Sequence, residues 1–269
     1  MRVSFVKMHG LGNDFVVLDA RDGTLPQLTG TRAAALADRH EGIGCDQLIL
    51  LEASKRADLR MRIFNQDGSE VGACGNAARA IALFHGEAAT IETAGGDISV
   101  FPSAAGAMVD MGQPRFEWDE IPLAMPMDTL SMPVGWDELE NPGGVNVGNP
   151  HVIFFVEDCD AVPLESLGPT IETDPLFPEK VNVNVATIEE RDRIRLRVWE
   201  RGAGLTRACG TGACATAVHA MRRKLVDSPV TLALPGGELT IEWSPGEPIR
   251  MTGPATESFR GTFEWDDYG

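Results

Sequence analysis

The chain carries one pattern twice. Two cysteines 135 positions apart, Cys74 and Cys209, each precede a glycine and a run of small or apolar residues: "GACGNAARAIALF" (72–84) and "RACGTGACATAVHAM" (207–221). At that offset "MRIFNQDGSEVGACGNAARAIA" lies over "LRVWERGAGLTRACGTGACATA", so that Arg62 meets Arg197, Phe64 meets Trp199, Asn65 meets Glu200 and Gly75 meets Gly210. Gln47 meets Asn182 at the same offset, and Gly12-Asn13 meets Gly148-Asn149 at 136. Further on, "TAGGDISV" resembles "LPGGELTI" and "VDMGQP" resembles "RMTGPA", at an offset of 141 that a few loop insertions produce. Ordered matches along the chain describe a duplicated domain. The period is far longer than that of stacked repeats, so the expectation is two domains and not an array.

A length of 269 residues suits two domains of about 100–150 residues each. We place them at 1–114 and 115–255, with 256–269 as a C-terminal tail returning to the N-terminal domain. The nearest thing to a linker is the Pro- and Met-rich stretch 113–144. Most segments read as strands: "FVVLDA", "QLILLE" and "MRIFN" in the first half, then "VIFFVE", "VNVATI", "IRLRVWE", "VTLAL" and "LTIEW". "RAAALADRHEG" reads as a helix behind Thr31 that ends at Gly42. The segments after Cys74 and Cys209 are small or apolar on nearly every face, interrupted mainly by Arg79, and a helix apolar all round is a buried one. The predicted fold is therefore α+β: two pseudo-symmetric domains, each a mixed sheet curled around one central helix. Arg222, Arg223 and Lys224 close the second helix at the negative end of its dipole.

Two cysteines at the mouths of two such helices suggest a chemistry. Unsatisfied N–H groups and the positive dipole end stabilise thiolate, so both thiols should ionise below the ordinary value of about 8.5. The Cys-Gly turns also offer N–H donors to a carboxylate. Two mouths facing one substrate would put a sulfur on either side of its α-carbon, which fits proton removal from one face and return on the other. That is racemisation or epimerisation by general acid–base catalysis. Cysteine is also among the most buried residue types, and Cys45, Cys159 and Cys214 read as structural.

Other classes fit less well. A formal net charge of −17 argues against nucleic acid or an anionic membrane surface as partner. The start "MRVSFVKMHGLGNDF" lacks a signal-peptide core, no run approaches 18 apolar residues, and five scattered cysteines read as reduced thiols in a cytoplasm. Cys209 and Cys214 form a C-x₄-C pair without a second pair, which does not make a zinc site. "GTGACA" (210–215) matches a dinucleotide pattern but does not directly follow a strand. None of Lys7, Lys55, Lys180 and Lys224 sits in a readable Schiff-base motif, so neither cofactor nor metal is expected. A thiol redox or metal-binding protein using the same cysteines remains the alternative of a different class.

"MHGLGNDF", "GIGCDQ", "RIFNQDGSEVGACGNAAR", "VGNPHVIF", "ERGAGLTRACGTGA" and "LPGGELTIEW" together resemble the diaminopimelate epimerase family from end to end of the chain. The resemblance implies a site in the interdomain cleft and cofactor-free interconversion of LL- and meso-diaminopimelate, supplying lysine and cell-wall synthesis. It makes Cys74 and Cys209 the acid–base pair, with Cys74 the base toward the LL substrate and Cys209 toward the meso one. His151 and Glu200 resemble the residues that adjust thiol protonation, and Glu200 also lies among the substrate contacts. Asn13, Gln47, Asn65, Asn149, Asn182 and Arg201 look like contacts to the substrate, with Gly75, Asn76, Gly210 and Thr211 holding the carboxylate at the reacting centre. A homodimer is implied. Proline racemases and phenazine-pathway isomerases share the fold and rank second. Two positions depart from the family: Ala77 stands where glycine is more common, which suggests a tighter loop, and Phe259 stands where a tyrosine serves the dimer contact.

Overall fold

The computed structural model describes residues 1–72 and 74–269. The chain divides into two compact units, Met1–Asp110 with Gly253–Gly269, and Met111–Thr252.

In the first unit β1 (Arg2–Gly10) and β2 (Asn13–Asp19) form a hairpin. Its two-residue turn, Leu11-Gly12, holds both residues at positive φ (57° and 89°), the turn geometry that matches the twist of paired strands. α1 (Gly30–Ala37) then crosses over to β3 (Gln47–Glu52), which runs parallel to β2 with Gln47 opposite Phe15. β4 (Leu59–Asn65) returns antiparallel and sets Asn65 opposite Gln47. β5 (Glu70–Val71) pairs back on β4 and leads to α2 (Gly75–His85). β6 (Ala89–Thr93) lies parallel to β4, and β7 (Gly96–Ser103) and β8 (Gly106–Asp110) complete a meander. The C-terminal segment Thr256–Glu264 pairs along β1, from Arg2 opposite Glu264 to His9 opposite Thr256.

The second unit begins with a short hairpin, β9 (Gly135–Trp136) and β10 (Leu139–Glu140), and then repeats the first unit's plan. β11 (Gly143–Asn146) and β12 (Pro150–Phe155) are antiparallel; α3 (Leu164–Glu172) crosses over; β13 (Asn182–Glu190) is parallel to β12 with Asn182 opposite His151. β14 (Arg193–Glu200) is antiparallel to β13, β15 (Gly204–Thr206) pairs on β14, and α4 (Gly210–Arg222) follows. β16 (Val230–Leu234) is parallel to β14, continued by β17 (Gly237–Glu242) and β18 (Arg250–Gly253); β19 is the segment Thr256–Glu264. Strand order and direction therefore repeat across the halves. In register terms Phe15 and Gln47 answer to His151 and Asn182, and Ile49 opposite Ile63 answers to Asn184 opposite Val198.

The two helices behind the cysteines are buried as their sequences require. Every residue from Asn76 to Ala82 is buried, and so is every residue from Gly212 to Ala220. α2 packs on β1, β7, β8 and β19, while α4 packs on β11 to β14, β16 and β17. Small side chains let each sheet close on its helix at short range. Arg79 is buried inside α2, where Nη2 donates to Asn76 Oδ1 (2.8 Å) and Nε to Pro254 O (3.4 Å). Ala77 lies fully buried within α2 and not in the loop before it.

Three expectations need correction. α1 begins at Gly30, capped by Thr29, whose Oγ1 accepts the Arg32 N–H at 3.2 Å, and it ends at Ala37. The Asp38 carboxylate takes the amides of His40 and Glu41 (2.7 Å each) and turns the chain out of the helix. Gly42 belongs to that turn: a Cβ there would lie 2.2 Å from Ala35 O. The stretch 113–144 is no loose linker, because Ile121, Leu123, Met132 and Leu139 enter the core of the second unit with Phe154 and Val183. α3 was not foreseen, since Gly168 and Pro169 inside it read as a turn. No described helix is long and apolar enough to cross a membrane.

Candidate active site

Each unit presents one cysteine at the N-cap of its central helix, in extended backbone, with Gly75 or Gly210 as the first helical residue. Cys74 O accepts the Ala78 N–H (3.0 Å) and Cys209 O accepts the Ala213 N–H (3.0 Å), so both caps open the helical ladder in the same way.

In the first unit the β1–β2 hairpin brings Asn13 to the helix mouth. Asn13 Nδ2 donates to Asp46 Oδ2 (3.0 Å), which turns Oδ1 toward Asn76 Nδ2 (3.3 Å) and the Cys74 thiol (3.8 Å). Asp46 is itself held by Arg39, which also grips Asp14 (2.7 and 2.6 Å). Lys7 pairs with Asp14 and reaches Gly44 O. On the neighbouring strands Gln47 Nε2 donates to Asn65 Oδ1 (3.2 Å), and Asn65 Nδ2 to Ser69 Oγ (3.2 Å). Gln47 Oε1 is buried without a protein partner among the described residues, an acceptor available to a ligand. The predicted residues Asn13, Cys74, Gly75 and Asn76 form one cluster, with Gln47 and Asn65 as a bonded pair on adjacent strands.

The second unit is different in kind. Cys209 is buried, and its Sγ accepts the Gly212 N–H at 3.4 Å and lies 3.4 Å from Thr211 Oγ1. The expected lowering of its pKa does not occur. Burial first, and then the charge of the adjacent Glu200 carboxylate, push the thiol well above its ordinary value, and the helix-mouth donors offset this only in part. Glu200 is also raised, by burial against the bonds it accepts from Thr206 Oγ1 (2.5 Å) and from Cys209. His151 is fully buried and held neutral, its pKa lowered to about 3 chiefly by burial. Asn149 joins His151 Nε2 (3.0 Å to Oδ1) to Thr211 Oγ1 (3.3 Å from Nδ2). Asn182 is buried as a brace, donating to Pro150 O (2.8 Å) and accepting the Arg201 N–H (2.9 Å), which leaves one side-chain N–H. Arg201 is exposed, with Nη1 on Glu179 O (2.8 Å).

Some participants went unread in the sequence. Asp46 and Thr206 orient Asn13 and Glu200, and Asn184 bonds His151. Asn184 was readable in principle: it stands two residues from Asn182 on one strand, hence on the same face. Cys45, Cys159 and Cys214 are buried; burial raises the Cys45 thiol to about 11, out of reactive range. Asp158, Cys159 and Asp160 cluster closely enough to suggest metal ligands, but Arg195 pairs with both carboxylates.

Comparison with known proteins agrees with the motifs. The family model for diaminopimelate epimerase matches residues 5–117 and 144–257. The diaminopimelate epimerase of Erythrobacter litoralis is 67% identical over 268 residues, covering 100% of both chains. That of Sphingopyxis alaskensis is 63% identical over 265 residues, covering 98% of each. Among solved structures, a phenazine biosynthesis protein of Bacillus anthracis superposes with a TM-score of 0.71 at 16% identity, over 98% of this chain and 99% of that one. A hydroxyproline epimerase from Agrobacterium vitis gives 0.64 at 15%, over 97% and 92%. These two likenesses concern the fold. The motifs, the family model and full-length identity above 60% agree: the chain belongs to the diaminopimelate epimerase family.

Proposed function

We infer that this protein interconverts LL- and meso-2,6-diaminopimelate by a two-thiol acid–base reaction that needs no cofactor. The observation that carries the reading is the setting of Cys209, a thiol held protonated by burial and Glu200 at the mouth of a buried helix. Such a group is a proton donor at neutral pH, with a carboxylate at hand to take its proton when the direction reverses.

In the LL-to-meso direction Cys74 takes the α-proton and Cys209 delivers its own to the opposite face. In return, Glu200 relieves Cys209 of its proton and Cys74 supplies one. The N–H groups of Gly75-Asn76 and Gly210-Thr211 hold the carboxylate at the reacting carbon, where charge develops. Asn13, Gln47, Asn65, Asn149 and Asn182 serve the other polar groups, and Arg201 grips the distal carboxylate. A homodimer formed through the exposed Phe259, whose ring stands edge-on to Phe5 at 6.0 Å, is part of the same proposal.

Purified, reduced, chelator-treated protein should convert LL-diaminopimelate to the meso form and leave proline unchanged, as read by chiral chromatography. Turnover of proline at a comparable rate, or dependence on an added metal or electron acceptor, would overturn the reading.

A further inference from the structure

The hydrogen bonds around His151 have a single consistent direction. Asn184 Nδ2 lies 3.0 Å from Val152 O, 3.5 Å from Asn182 O and 3.1 Å from His151 Nδ1. Two of these neighbours are carbonyl oxygens, which only accept, so this atom of the Asn184 amide is the nitrogen. Its two hydrogens go to the two nearer acceptors, Val152 O and His151 Nδ1, so the neutral imidazole carries its proton on Nε2. Nε2–H in turn donates to Asn149 Oδ1 (3.0 Å). The Asn149 amide then presents Nδ2 to Thr211 Oγ1 (3.3 Å), which accepts and has its own hydrogen left for Cys209 Sγ (3.4 Å). Each donor fixes the next, and the last points at the sulfur.

The duplicated fold supplies an internal control. By register, His151 answers to Phe15 and Asn184 to Ile49, both fully buried and apolar. The same two sites in the same sheet geometry are thus polar only in the unit that holds Cys209. Burying a histidine and an asparagine where Phe and Ile fit costs desolvation that only their hydrogen bonds offset, so the exchange brings no evident gain in packing. Asn184 Oδ1 has no partner among the described residues, which adds to that cost and leaves the nitrogen as the atom that matters.

We propose that Asn184 is a positioning residue for proton transfer at Cys209: it locks the Nε2–H form of His151 and so directs a hydrogen-bond chain, through Asn149 and Thr211, that ends as a donor to the sulfur. The chain favours the anion that Cys209 must become when it serves as base, against the opposing effects of burial and Glu200. The titratable and charged groups facing this region are Glu200 on β14 and His151 on β12, with the Arg201 charge acting on His151 through space. The catalytic consequence rests on the epimerase reading; the proton's location does not.

The first test uses the unaltered protein. In ¹⁵N-histidine-labelled enzyme, with the His151 signals assigned by their loss in His151→Gln, Nε2 should carry the proton and Nδ1 should be unprotonated and hydrogen-bonded from pH 5 to 9. A proton on Nδ1, or a cationic ring at neutral pH, would overturn the proposal whatever any variant does. The second test is Asn184→Ile, which copies the first unit's residue and removes the donation to His151 Nδ1 together with the bond to Val152 O. Turnover from meso to LL, where Cys209 is the base, should fall about tenfold with KM within twofold, and its pH profile should move to higher pH by about one unit. Turnover from LL to meso, where Cys209 is the acid, should show its basic limb displaced to higher pH in the same sense, because the same thiol must stay protonated there. Asn184→Ile with wild-type pH profiles in both directions, and only a lower Tm, would make Asn184 a packing residue and sink the inference. If the unaltered protein shows the Nε2–H ring but does not epimerise diaminopimelate, the functional reading fails and the directed chain stands.

Discussion

The Glu200 carboxylate accepts a bond from the Cys209 thiol, and its charge helps to push that thiol well above the ordinary cysteine range. The two groups are coupled, so each proton state depends on the other. Removing the carboxylate has opposite consequences for acidity and for rate. In Glu200→Gln the thiol should ionise at lower pH, because one opposing charge is gone. Epimerisation from meso to LL should nevertheless fall about 10²-fold or more, because Cys209 then lacks its proton acceptor. Steady-state rates and their pH profiles check both; a variant that keeps its rate would remove Glu200 from the reaction.

Folding stability should depend on buried histidine. His151 and His219 both have pKa values lowered to about 3, chiefly by burial, against an ordinary 6.5. Below pH 6.5 the unfolded chain binds protons that the folded chain refuses, so stability declines as pH falls from 6.5 toward 3. Each histidine adds a slope of about 1 kcal/mol per pH unit near pH 5–6. His219→Phe should flatten the slope by that amount in urea unfolding at pH 5 and 6.5. The substitution removes no hydrogen bond, since neither ring nitrogen has a protein partner among the described residues; the larger ring strains the pocket against Gly143, so the slope and not the absolute stability is the readout. An unchanged slope would mean that His219 is not buried neutral.

Gly143 leaves room for that same ring. A Cβ on it would lie 2.0 Å from both Cε1 and Nε2 of His219, which is already confined by Phe155. Gly143→Ala should cost about 1–3 kcal/mol, the usual penalty for overpacking a filled core. Combining it with His219→Ala should recover part of the loss. Equal Tm for wild type and Gly143→Ala would contradict the packing described.

Much of the architecture was legible because duplication and burial leave periodic traces. The helices behind Cys74 and Cys209 were readable from small residues on every face, and the strands of both units from alternation and β-branched content. α3 was not, because Gly168 and Pro169 mark a turn locally while Leu164, Leu167 and Ile171 secure the helix by packing, which is a tertiary fact. Residues 113–144 misled for a related reason: proline and methionine resemble a linker until the core they fill is known. The sequence placed Cys209 at a helix mouth and hence argued for an acidic thiol. It could not show that burial and Glu200 would outweigh the helix N–H groups. Asn184 was readable only as a same-face neighbour of Asn182; the ring that it bonds stands on another strand, which is a tertiary fact.

The central claim is that one thiol removes the α-proton while the other delivers a different one. Early in the reaction of LL-diaminopimelate in D₂O, the meso product should carry deuterium at the inverted carbon while the remaining LL substrate stays protiated. Cys74→Ser and Cys209→Ser should each lose nearly all epimerisation, because a serine hydroxyl is far too weak an acid to ionise in either role. Proton NMR and mass spectrometry at low conversion read this directly. Early meso product that retains the substrate's own proton would point to a single base serving both faces, and would contradict the two-thiol account.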